Sequence, residues 1–140
     1  MANKRILIVD DDPDVRQAMN VRLKANGYDT FFASDALAAL AEARKQVPDL
    51  IILDLGLPGG DGYVVMERIK RYPALSVIPI IVVSARDVQA NRVRSIAAGA
   101  NVYLRKPVDN AELLAIIRQS LGEPAEPDDA AMTGNWRLLA

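Results

Sequence analysis

The 140-residue chain contains no cysteine and no histidine. The first absence excludes a disulfide framework and a thiolate zinc site. With the second, the imidazole ligand goes too, so any bound metal must sit on oxygen. An excess of one charge is also missing, since seventeen Lys and Arg against eighteen Asp and Glu leave a net charge of −1. A chain whose main partner is nucleic acid would carry a clear basic surplus, so direct DNA binding is not expected. Nor is there a long hydrophobic run. Lys4 and Arg5 precede the apolar stretch Ile6–Val9, but Asp10, Asp11 and Asp12 end it. A signal peptide needs a longer apolar segment and small residues at a cleavage site, and a membrane span needs roughly 20 apolar residues. The expectation is a cytoplasmic protein with no membrane partner.

What is present is ordinary globular material, 51% hydrophobic and 25% charged, enough for one continuous core. The apolar runs Ile6–Val9, Leu50–Leu53, Ile80–Val83 and Val102–Leu104 are short and bounded by polar or turn residues, which predicts buried strands. Tyr28–Ala33 adds a fifth, more mixed strand. Helical patterns fill the gaps. Asp12 caps the first helix, Pro13 opens it and Gly27 ends it, with Val15, Ala18, Met19 and Leu23 on its inner face. Ser34 caps a second with Leu37, Leu40 and Ala41 inward, and Asp61 a third with Val65, Met66 and Ile69. Asp87 starts a fourth with Val93, Ile96 and Ala97, closed near Gly99. Asp109, with Glu112 three residues on, starts the fifth, whose core face is Leu113, Ile116, Ile117 and Leu121 and whose stop is Gly122.

This alternation is (βα)5. It implies an α/β, doubly wound, five-stranded parallel sheet with right-handed crossovers and helices on both faces. The most apolar strands, the first, third and fourth, belong in the centre, which gives strand order 2-1-3-4-5 and a topological switch point between strands one and three. Residues 1–122 make up this domain. Residues 123–140, acidic and containing Pro124 and Pro127, read as a flexible tail.

Ligands in such sheets bind beyond the carboxyl ends of the strands at the switch point. There the first strand delivers Asp10 and Asp11, the third Asp54, the fourth Ser84 and the fifth Lys106. Two bare carboxylates ~4 Å apart repel by ~4 kcal/mol at an effective dielectric of ~20. The cluster therefore makes sense with a hard divalent cation, and Mg2+ suits a shallow oxygen site. With the cation bound the pocket attracts phosphate instead of repelling it. Asp54, at a strand tip with Gly56 loosening the loop after it, is placed to attack phosphorus and form an acyl phosphate. Lys106 and the Ser84 hydroxyl would meet the phosphoryl oxygens.

The segments ILIVDDDP, ILDLGLPGGDG, IIVVSA and YLRKP together resemble the receiver domain of bacterial two-component response regulators, stand-alone and chemotaxis-regulator-like, over about residues 4–121. The resemblance implies the flavodoxin-like receiver fold. It implies phosphorylation on Asp54 by a sensor histidine kinase or phosphotransfer protein, with Asp11, Asp54 and the Gly56 carbonyl as direct Mg2+ ligands and Asp10 acting largely through a metal-bound water. Ser84 and Lys106 would recognise the phosphoryl group, the Lys106–Pro107 bond would be cis, and Tyr103 would be the switch aromatic that follows Ser84. Such a domain is a phosphoacceptor, not an enzyme in the ordinary sense, although it assists its own phosphorylation and dephosphorylation. It signals to a downstream protein through the face made by the fourth helix, fifth strand and fifth helix, with a homodimer as one form. Leu114, adjoining the core face of the fifth helix, would belong to a partner surface. Gly56 and Arg86 stand at positions that tune the acyl-phosphate lifetime.

Plainer readings stand beside these. Asp12 and Asp61 read as helix caps, and caps alone would not gather Asp10, Asp11 and Asp54 at one switch point. Lys106 taken singly is a solvated edge lysine, and Tyr103 taken singly is as much a packing residue as a switch. Arg86, Arg92, Arg94 and Arg105 read as a solvated basic face, and Trp136 with Leu138 and Leu139 as a frayed end. Rival functions are a haloacid-dehalogenase-type phosphatase, a flavodoxin-like cofactor carrier and an unphosphorylated docking module of the same fold. The first needs its nucleophile on strand one in a DxDx[TV] pattern that Asp10–Asp14 breaks. The second needs a Gly/Ser/Thr-rich first loop, where this chain has three aspartates.

Overall fold

The computed structural model describes residues 3–124 and the backbone of residues 137–138. Five parallel strands, β1 (Arg5–Val9), β2 (Asp29–Ala33), β3 (Leu50–Leu53), β4 (Ile80–Ser84) and β5 (Val102–Arg105), form one sheet in the order 2-1-3-4-5. The helices are α1 (Pro13–Ala25), α2 (Ala36–Gln46), α3 (Gly62–Arg71), α4 (Val88–Ala98) and α5 (Asn110–Leu121), with one further helical turn at Pro73–Ser76. A two-residue antiparallel ladder joins Gly56–Leu57 to Gly60–Asp61 ahead of α3. Among the described residues no helix is long and apolar enough to cross a membrane.

The two-residue period of the strands divides the core in two. Leu7, Val9, Ile51, Leu53, Ile80 and Val82 point to the side covered by α2, α3 and α4. Ile6, Ile8, Leu50, Ile52, Ile81 and Val83 point to α1 and α5. β1 lies between β2 and β3 in parallel register, Ile6 opposite both Thr30 and Leu50, which puts the switch point where the loops after β1 and β3 meet.

Every one of these five helices begins on an aspartate. Asp12, Asp35, Asp61, Asp87 and Asp109 each accept a hydrogen bond from a backbone N–H in the first turn. The cap of α2 is thus Asp35 and not Ser34. Left-handed Gly99 and Gly122 close α4 and α5.

Two helices turn a different face inward from the one their large apolar residues suggest. α2 buries Ala36, Ala39 and Ala43 and leaves Leu37 79% exposed. In an alanine-rich helix two stripes share the right spacing, and the close approach of the loop before α3, where Gly60 stands beside Ala36, selects the small one. α4 buries Ser95 and Ala98 and leaves Val93 81% and Ile96 39% exposed, with Asn91 and Ser95 turned toward the buried Tyr63. Ala18 of α1 is also exposed. Leu114, expected beside a partner surface, is instead buried with Leu113, Ile116 and Ile117.

The sheet has one strand more than the five expected. Arg137–Leu138, here β6, pairs antiparallel with β5, Leu138 opposite Val102 and Arg137 opposite Tyr103. This stretch of the tail therefore has defined backbone structure, while Trp136 and Leu139 lie outside the described residues.

Candidate functional site

The ladders run one residue past the strand ends and fix the backbone from which the site projects. The Asp54 N–H donates to the Val9 carbonyl at 2.9 Å, the Lys106 N–H to Ser84 at 2.8 Å and the Asp10 N–H to Ala33 at 3.1 Å. Asp10 and Asp54 are therefore held side by side as extensions of β1 and β3, with Lys106 reaching across from β5. Its Nζ donates to Asp10 Oδ2 at 2.8 Å and to Asp54 Oδ2 at 3.1 Å. The second oxygens are also engaged. Asp10 Oδ1 accepts from the Asp12 N–H at 2.9 Å, and Asp54 Oδ1 from the Gly56 N–H at 3.3 Å.

Asp10 is 2% exposed and Asp54 9%. Two carboxylates at that depth would repel each other without a cation, and Lys106 serves as one. Burial works to lower the Lys106 pKa, but its hydrogen bonds to Asp10 and Asp54 and the charges of both outweigh burial and hold the ammonium above its ordinary value. Asp11 differs: it is exposed and has no hydrogen-bond partner among the described residues. Each of Asp10, Asp11 and Asp54 offers a carboxylate oxygen, and these three atoms lie within 4.8 Å of one another. Three hard oxygens this close together, that of Asp11 unengaged, fit a divalent ion such as Mg2+ that keeps part of its water shell.

Ser84 ends β4, 1% exposed, and its Oγ accepts from the Arg86 N–H at 3.3 Å. Tyr103, on β5 beside Val82, is turned into the core at 1% exposure, and its hydroxyl donates to the Arg86 carbonyl at 2.8 Å. Burial raises the phenol's pKa. The Lys106–Pro107 bond is cis. Gly56 is exposed, and a Cβ there would meet nothing within 4 Å, so steric fit does not require glycine at this position.

Sequence matching over residues 6–118 finds the response regulator receiver domain. The chain belongs to that family. Receiver domains of response regulators are phosphorylated on an aspartate, and membership separates the chain from the phosphatase and the cofactor carrier. It is 40% identical over 116 residues to the KDP operon transcriptional regulatory protein KdpE of Escherichia coli, covering 83% of this chain and 50% of that one. It is 38% identical over 117 residues to RpaA, a DNA-binding dual master transcriptional regulator of Synechocystis, covering 84% of this chain and 48% of that one. The chain spans about half the length of these curated relatives. Among solved structures, a CheY-like receiver domain protein of Methanospirillum hungatei superposes with a TM-score of 0.82 at 31% identity, covering 86% of this chain and 95% of that one. The receiver domain of sensor histidine kinase PA1611 of Pseudomonas aeruginosa superposes with a TM-score of 0.80 at 33% identity, covering 87% and 100%, and carries a magnesium ion coordinated in its active site cleft.

Some parts of the receiver's site had no sequence signal. Gly62 packs so tightly that a Cβ would lie 2.7 Å from the Asp54 carbonyl oxygen, and its N–H donates to the Leu55 carbonyl at 2.9 Å. An ion pair between Arg86 and Asp61, 3.3 Å, ties the loop after β4 to the start of α3. Asp61 was legible as a helix cap, but that Gly62 beside it abuts the acceptor follows only from the fold.

Proposed function

We propose that this receiver domain accepts a phosphoryl group on Asp54 from the phosphohistidine of a sensor histidine kinase or phosphotransfer protein, in the cytoplasm, and passes the change to a downstream protein. The observation that carries the reading is the convergence of Asp10, Asp11 and Asp54 around the Lys106 ammonium at the switch point. In the transfer an Asp54 carboxylate oxygen attacks phosphorus, the bond from phosphorus to the imidazole nitrogen breaks, and its electron pair stays on the imidazole. Lys106 neutralises a phosphoryl oxygen, and the Ser84 hydroxyl donates to another.

Asp11, Asp54 and the Gly56 carbonyl would hold Mg2+ directly, and Asp10 through a water. Bound there, the ion supplies the positive charge that lets an anionic phosphoryl group approach an anionic carboxylate. Tyr103 and Ser84 both engage Arg86 backbone atoms, so a movement of the Ser84 hydroxyl toward phosphate disturbs the loop that holds Tyr103. That makes them the switch pair acting on the face of α4, β5 and α5.

Incubation with acetyl phosphate and Mg2+ followed by intact-mass measurement tests the reading. One phosphoryl adduct is expected on the native chain and none on Asp54→Asn. No adduct on the native chain, or an equal one on Asp54→Asn, overturns it.

A further inference from the structure

The inner face of α4 carries two polar residues, Asn91 and Ser95, between Val88 and Ala98, and both meet one buried side chain. Tyr63, in the first turn of α3, is 0% exposed. Its hydroxyl donates to Asn91 Oδ1 at 2.5 Å and lies 3.4 Å from the Asn91 carbonyl oxygen and from Ser95 Oγ, which donates to it. Arg94 of the same helix stacks over the Tyr63 ring at 3.9 Å. Asn91, Ser95 and Ala98 are spaced as one helical stripe, so the side of α4 facing the core is the one that can satisfy a phenol. The apolar residues Val93 and Ile96 are left facing water. By hydrophobicity alone the helix should be turned the other way round.

Tyr63 is equally tied to the acceptor. Its N–H donates to the Asp61 carboxylate at 2.9 Å, and the other oxygen of that carboxylate accepts from Arg86. Its neighbour Gly62 abuts the Asp54 carbonyl. The residue in contact with the Asp54 backbone and the residue that anchors α4 are therefore adjacent in the chain.

We propose that Tyr63 is a positioning residue: its hydroxyl holds α4 polar side inward, so that displacement of the β3–α3 junction at the acceptor loosens or reorients α4 and changes how Val93 and Ile96 are presented. The idea builds on the receiver reading, but its main test does not need phosphorylation. Tyr63→Phe in the full chain removes only the hydroxyl. Amide hydrogen exchange across α4 should accelerate about 10-fold without phosphoryl donor, while α1 and α5 change less than about 2-fold. Asn91→Ala removes the other end of the bond. Alanine is the better helix former, so a helix held only by its own propensity would exchange more slowly in this variant, whereas loss of the Tyr63 anchor makes it exchange faster.

Uptake of one phosphoryl group from acetyl phosphate should stay within about 2-fold of native in Tyr63→Phe, because the hydroxyl touches no acceptor group. The difference in α4 exchange between phosphorylated and unphosphorylated chain should shrink by at least half. Unchanged α4 exchange in both variants, acceleration spread evenly over all helices, or slower exchange in Asn91→Ala overturns the proposal. A native chain that takes no phosphoryl group defeats the receiver reading but leaves the α4 comparison standing as its own test.

Discussion

The Lys106 ammonium lies 2.8 Å from an Asp10 oxygen, so a residue that follows the last parallel strand neutralises a carboxylate that follows the first. The contact spans the central strands, and with Asp54 as the second partner at 3.1 Å it makes Lys106 the internal cation of the acidic site.

Lys106→Met keeps the aliphatic stem and removes the charge. Without divalent cation, the variant should lose about 1.5–3 kcal/mol of stability, the range for hydrogen bonds to charged groups. Millimolar Mg2+ should then raise its urea midpoint more than it raises that of the native chain, because the ion takes over the role of the lysine. Equal Mg2+ effects on both proteins would show that Lys106 and the ion do not share these carboxylates.

Asp11→Asn separates metal binding from folding. The side chain is exposed and makes no protein hydrogen bond among the described residues, so stability without metal should change by less than about 0.5 kcal/mol. Mg2+ affinity, followed by titration calorimetry, should fall about 10-fold or more with loss of an anionic ligand. Native-like affinity would remove Asp11 from the ligand set.

The two glycines flanking the acceptor loop should respond in opposite ways. Gly62→Ala places a methyl 2.7 Å from the Asp54 carbonyl oxygen and the Leu55 Cα. It should cost about 1–3 kcal/mol, as overpacking does, and slow acetyl-phosphate labelling by shifting Asp54. Gly56→Ala meets open space and should leave stability within about 0.5 kcal/mol. Denaturation midpoints check both, and equal losses would contradict the packing described.

Tyr103→Phe should cost about 1 kcal/mol through its bond to the Arg86 carbonyl. Burial raises the Tyr103 pKa, so the folded state holds its proton when the unfolded chain has released it. The resulting stabilisation is fully present below the unfolded pKa of about 10 and is lost as pH rises from there through the folded value. Urea midpoints taken upward from pH 9 should fall more steeply for the native chain than for Tyr103→Phe. Parallel curves would mean that the phenol ionises as freely in the fold as outside it.

Much of this was legible in the sequence because the strands are short, apolar and covered on both faces. Their ends were therefore visible as the first polar residues after each run, which are Asp10, Asp54 and Ser84, with Lys106 one residue beyond Arg105. Helix starts were legible from aspartate, with Ser34 against Asp35 the one exchange. Helix faces failed where two stripes had equal spacing, as in α2, or where a polar partner on another element decided the orientation, as Tyr63 does for α4. Pairs such as Asp61 with Arg86 depend on side chains 25 residues apart meeting across two loops, and no local pattern carries that.

The short β6 changes what the sheet offers to other chains. A terminal strand with open N–H and C=O groups is a template for further pairing, and edges of this kind are where sheet proteins begin to aggregate. With Arg137 and Leu138 laid antiparallel along Val102 and Tyr103, part of the β5 edge is already capped from within the same chain. Antiparallel addition also ends the parallel series, so a further parallel strand cannot simply continue the sheet there. On the side of the molecule that carries Tyr103 the outermost strand is thus only two residues long, a short template for sheet-to-sheet pairing.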